Sequence, residues 1–93
     1  MYAITFDLDT ICLKEHYHTE SSNNAYLNVK TFLIEKGFTW TQGSVYFGSE
    51  STTVIDCVLA VQELSRTYDW VKTCVKDLRM LKIEENNDLI PLL

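Results

Sequence analysis

The chain has 93 residues, enough for one domain (1–93) and too few for two. Its 46% apolar content, three glycines and single proline exclude a disordered or linker-rich chain. A formal net charge of −5 excludes indiscriminate attraction to nucleic-acid phosphates.

Cys12, Cys57 and Cys74 are an odd number without CxxC spacing, which argues against a disulfide framework or zinc ribbon. Three free thiols behaving as small hydrophobes in a reducing cytosol are expected. No run approaches the roughly 20 apolar residues of a membrane helix, and no charged start leads into an apolar signal core. A cytoplasmic protein without membrane contact is therefore expected.

Residues 1–9 read as a strand. Tyr2, Ile4, Phe6 and Leu8 share one face, and Ala3, Thr5, Asp7 and Asp9 share the other. The polar stretch "TICLKEHYHTE" over 10–20 reads as a loop. Ser21 or Ser22 can cap a helix over about 23–36, with Ala25, Val29, Phe32, Leu33 and Lys36 forming a buried stripe and Gly37 ending it. "FTWTQGSVYFG" predicts two short strands about a turn or bulge at Gln42–Gly43. Phe38 and Trp40 share a face of the first, Val45 and Phe47 a face of the second.

Thr53, with Asp56 three residues on, predicts the start of a helix over about 53–66, burying Val54, Val58 and Val61 or else Ile55 and Leu59. "TYDWVKTC" is a connector with room for one helical turn. "VKDLRMLKIEE" is a further strand, and "DLIPLL" an apolar tail or short strand. The order β-α-β-β-α-β predicts an α+β, ferredoxin-like domain with both helices on one face of an antiparallel sheet. The other face is free to pack against a second copy.

Asp7 is the leading candidate for chemistry. In a dimer joined through the open faces, two copies of Asp7 would approach each other. They would then hold a divalent cation or share a proton. Ser44, beside flexible Gly43, is placed to contact phosphate. Arg79 on the last strand, with Lys76 and Asp77 beside it, either neutralises phosphate charge or pairs with Asp77. Tyr46, Trp40 and Trp70 are candidates for stacking on bases or for the core. His16 and His18, flanked by Glu15 and Glu20, have metal-ligand spacing but no third fixed ligand. Residues 66–82 carry Arg66, Lys72, Lys76, Arg79 and Lys82 against Asp69 and Asp77, a basic stretch on an acidic chain.

Three blocks, "MYAITFDLD", "GFTWTQGSVYFG" and "WVKTCVKDLRMLKIEENNDL", resemble the virulence-associated protein D (VapD) family, in family order and from Met1 to about Leu89. That family is similar in turn to the CRISPR-associated spacer-acquisition nucleases of ferredoxin-like fold. The resemblance implies an endoribonuclease that cleaves single-stranded or structured RNA as a homodimer. It implies a bacterial toxin restrained by a small cognate antitoxin of the VapX kind. It assigns a central role to Asp7, the acid ending the first strand, with Ser44 beside it. Gln42, Gly43, Lys76 and Arg79 would contact RNA. A divalent metal, Mg or Mn, would sit on Asp7 if the reaction uses one. The alternative is a non-catalytic dimeric module for protein interaction or nucleic-acid binding.

Overall fold

Alternation along the first residues builds the strand on which everything else is hung. The computed structural model describes residues 1–16 and 23–93. In it β1 (Tyr2–Leu8) runs between β3 (Val45–Phe47) and β4 (Val75–Lys82), antiparallel to both, and β2 (Thr39–Gln42) pairs with β3. The sheet order β2-β3-β1-β4 is that of the ferredoxin-like fold the sequence predicted.

Ile4, Phe6 and Leu8 are buried in one core with Ala25, Val29, Phe32 and Leu33 of α2 (Asn23–Glu35). Cys57, Ala60 and Leu64 of α3 (Val54–Thr67) close the same core. The α2 stripe is therefore as expected, and Lys36 ends it in an ion pair with Glu63, 2.6 Å away. Gly37 adopts φ 93°, the left-handed geometry that releases the chain from α2. The two proposed caps, Ser21 and Ser22, lie outside the described residues.

Thr53 and Asp56 form the predicted reciprocal cap of α3, each side chain accepting the other's backbone N–H at 3.1 and 2.9 Å. The buried face of this helix, however, is neither of the two expected. Cys57, Ala60 and Leu64 point inward with Val61 partly buried, while Val54, Ile55, Val58 and Leu59 are exposed. Small side chains at 57 and 60 face the sheet, and the larger apolar residues are left outside.

Of two further short helices, one departs from expectation and the other is the helical turn for which the connector had room. α1 (Thr10–His16) occupies part of the stretch read as a loop, and α4 (Trp70–Cys74) fills the connector with Trp70 and Val71 buried. A 3-10 turn at Ile90–Leu92 organises the tail, which stays exposed.

The cysteine expectation is overturned. Cys12 of α1 and Cys74 of α4 form a disulfide with Cα atoms 5.4 Å apart, leaving Cys57 as the buried free thiol. An odd count with a separation of 62 residues carries no local motif, so the pairing was invisible in the sequence. Burial, and secondarily the Asp56 carboxylate, push the Cys57 thiol up and keep it protonated.

Two stability measurements follow. Thr53→Ala removes an acceptor for an otherwise unpaired N–H and is expected to cost about 1 kcal/mol in urea unfolding. Reduction of Cys12–Cys74 opens a loop whose closure is worth about 4 kcal/mol of chain entropy. The urea midpoint should therefore fall in reductant, and in Cys12→Ser with or without it.

A candidate active site at one end of the sheet

Antiparallel pairing sets the C-terminal end of β1 beside the starts of β3 and β4. The Phe6 N–H donates to the Ser44 carbonyl at 3.3 Å, so Ser44 lies alongside the residue that precedes Asp7. On the other side Asp7 stands directly opposite Asp77 in the β1–β4 register. Residues 42–44, 76, 77 and 79, far apart in the chain, thus reach the end of the sheet where Asp7 stands.

The register then shifts, with Asp7 facing Asp77 but Leu8 facing Val75. Lys76 is the extra residue of this bulge, a local kink that re-aims a side chain. Its Nζ lies 3.6 Å from Asp7 Oδ2. Two positions on, the Arg79 Nε donates to both carboxylate oxygens of Asp77 at 3.2 Å. The result is an alternating group of two carboxylates and two cations. Asp7 and Lys76 side chains are each 58% exposed, so their attraction is largely screened and contributes little to stability. The group is open to a ligand that competes for its cations.

The turn beside it is held from below. Gly43 takes φ 44°, and its carbonyl accepts the Trp40 indole N–H at 2.9 Å. Lys30 places its ammonium 3.8 Å from the Trp40 ring centroid, a cation–π contact that braces the same indole. Gln42 is exposed at the end of β2, and Ser44 is half-buried.

Several candidates fall to other roles. Tyr46, only 1% exposed, stacks on Phe6 with ring centroids 5.9 Å apart, and Trp70 is equally enclosed, so neither offers a face to a base. Trp40 alone of the three is exposed. Asp9 is a helix cap. Its Oδ1 accepts the N–H groups of Ile11 and Cys12 at 3.0 and 3.1 Å, which is the signal that could have revealed α1 in the sequence. His16 ends α1 with Glu15 3.9 Å away, while His18 and Glu20 lie outside the described residues.

A hard divalent cation such as Mg or Mn requires several oxygen ligands in near-octahedral array. Among the described residues no group of three or more acids, histidines or cysteines is assembled to supply them. Asp7 and Asp77 each face a cation instead. One protomer's donor set does not fit such an ion.

Asp9 offers a clean separation of structure from chemistry. Asp9→Ala should lower stability by about 1 kcal/mol, whereas Asp9→Asn, an equally good cap, should leave it nearly unchanged. Thermal unfolding of the two variants beside the parent chain checks this.

Comparison with known proteins agrees with this architecture. The family described as CRISPR associated protein Cas2 matches residues 1–89. "Endoribonuclease VapD 2" of Riemerella anatipestifer is 58% identical over 91 residues, covering 98% of this chain and 97% of that protein. "Endoribonuclease VapD homolog" of Helicobacter pylori is 50% identical, with 98% and 94% covered, and "Endoribonuclease VapD" of Dichelobacter nodosus is 43% identical, with 95% and 91% covered. The full-length family match and these likenesses, with the sheet order, make the chain a member of the Cas2 family, in its VapD group.

Proposed function

We propose that this chain is an endoribonuclease whose active form is a homodimer with Asp7 at the centre of the site, acting as the toxin of a bacterial toxin–antitoxin pair. The observation that carries the activity is full-length likeness to proteins named for it. What supports the role of Asp7 is its company, because an exposed carboxylate 3.6 Å from Lys76, with Arg79 close by, suits a phosphodiester.

The reaction follows from the donors present. A backbone phosphate draws Lys76 and Arg79 to its oxygens, which releases Asp7 from its ion pair. Asp7 then accepts the proton of the adjacent ribose 2′-hydroxyl, and the 2′-oxygen attacks phosphorus. The bond from phosphorus to the 5′-oxygen breaks, and that oxygen takes a proton from solvent. The products are a 2′,3′-cyclic phosphate and a 5′-hydroxyl. Lys76 and Arg79 neutralise charge that grows on the phosphoryl oxygens, and the Ser44 hydroxyl with the Gly43 N–H adds hydrogen bonds there. Gln42 borders the path of the strand.

The homodimer is supported by the open face of the sheet. Ala3 sits in register between Phe47 and Leu81, giving an apolar strip at the end of β1 away from Asp7. A second copy covering this strip would bring two sites together. A small antitoxin would act by covering the charged end or by separating the copies. An RNA substrate implies work in the cytoplasm.

The test is cleavage of a mixed-sequence RNA and its DNA counterpart by the parent chain and Asp7→Asn, with and without EDTA, with oligomeric state checked by light scattering. We expect RNA to be cut and DNA spared, for want of the 2′-hydroxyl. Asp7→Asn should lose at least about 100-fold in rate, the range of a missing general base. Fragments should carry 5′-hydroxyl ends. Loss of cutting in EDTA would move Asp7 to holding a metal. A folded, dimeric Asp7→Asn that cuts like the parent chain would end its assignment and favour the non-catalytic module.

A further inference from the structure

The disulfide lies directly behind the site. Cys12 comes five residues after Asp7, and Cys74 two residues before Lys76. Between these points the two segments are joined again, since the Asp9 N–H donates to the Cys74 carbonyl at 2.8 Å. The Asp9 carboxylate meanwhile accepts the Cys12 N–H and so fixes the start of α1. The pairs Asp7–Lys76, Asp9–Cys74 and Cys12–Cys74 are therefore three successive rungs between the same two stretches of chain. The first is a screened ion pair, the second a hydrogen bond and the third a covalent bond. Cys12 is partly exposed and Cys74 fully buried, so of the two residues it is Cys12 that reaches the surface.

We propose that Cys12–Cys74 is a thiol–disulfide exchange site for low-molecular-weight thiols, and that its oxidation state sets how firmly Asp7 and Lys76 are held for cleavage. The effect on cleavage rests on the nuclease reading above; the exchange site itself does not. In a thiol-reducing milieu disulfides are rare, and those that form serve redox sensing. In reduction, a thiolate attacks Cys12 Sγ, the bond between the two sulfurs breaks, and Cys74 leaves as a thiolate that takes a proton. A second thiolate attacks the mixed disulfide, releasing Cys12 and a low-molecular-weight disulfide. Two thiols are oxidised and the protein pair is reduced by two electrons; the same disulfide drives the reverse reaction. Reduction removes the covalent rung and leaves the ion pair and hydrogen bond to hold the site.

The experiment uses the full chain equilibrated in buffers of varied reduced-to-oxidised glutathione ratio. Samples are quenched with N-ethylmaleimide in denaturant and weighed intact. One label marks the oxidised protein, carrying only Cys57 free, and three mark the reduced protein. Hydrogen exchange at the Asp9 amide and RNA cleavage are followed on the same samples. We expect interconversion within the glutathione range, faster exchange at Asp9 on reduction, and cleavage slowed on the order of tenfold, as loosened positioning produces. Cys12→Ser should be fixed in the slow state at every ratio, and Cys57→Ala should still switch. A pair that stays oxidised in millimolar glutathione would be a structural staple, and the proposal would fail. It fails equally if both forms exchange at Asp9 and cleave alike. If neither form cuts RNA, the nuclease reading falls, while labels and Asp9 exchange still decide the exchange site.

Discussion

The register of β1 between β3 and β4 is the constraint on which the rest of this molecule depends. Side chains along a strand alternate with a period of two, so a slip by one residue would exchange Ile4, Phe6 and Leu8 for Ala3, Thr5 and Asp7 in the core. Each large apolar side chain fully buried contributes about 1.5–3 kcal/mol. Three of them on one strand therefore outweigh any preference expressed by the charged residues at its end. The position of Asp7 opposite Asp77 is consequently set by the buried residues of the core.

That division of labour explains how two carboxylates and two cations can share one small area. Their ion pairs are exposed and screened, and they do not hold the sheet together. Because the core supplies the energy, the charged end is free to be arranged for a ligand. The bulge at Lys76 is the clearest sign of this. A regular strand would send residue 76 to the face opposite residue 77, whereas the shift between Asp7 and Leu8 brings its ammonium within 3.6 Å of Asp7. Pairing is sacrificed at the last step of the ladder, where it costs least, and a side chain is redirected in exchange.

How much of this was legible in the sequence follows the same physics. The strands, α2, the cap of α3 and the ferredoxin-like order could be read because each has a local signature of alternation, stripe or capping pair. α1 could not, since a seven-residue helix with Leu13 as its one buried residue shows no stripe. Its signal is the cap, and Asp9 reads as the last residue of the strand before it. The buried face of α3 was misjudged because apolar residues surround that helix. Size, rather than hydrophobicity, decides which of them can approach the sheet, and it selects Cys57 and Ala60 over Val58 and Leu59. Asp7, Ser44, Lys76 and Arg79 were singled out mainly through family resemblance. The bulge that turns Lys76 toward Asp7 leaves no mark in residue types, because it is a property of pairing between distant strands.

The open face of the sheet raises a question of competition, and its gradient answers it. A surface that receives a second copy cannot at the same time receive RNA across its whole width. Along β1, however, that face changes character from Ala3, buried between half-buried Phe47 and exposed Leu81, through Thr5, beside Val45 and Arg79, to Asp7 opposite Asp77. Apolar surface associates without direction, and charged surface resists burial unless every group is paired. In the proposed homodimer a second copy would therefore be drawn to the Phe47 and Leu81 end and kept from the Asp7 end by the desolvation of four charged side chains. Phosphates reverse both preferences. On the function proposed above, one face would serve association and RNA together, divided at Thr5, and a partner that neutralised the charged end would block the site without needing to part the copies.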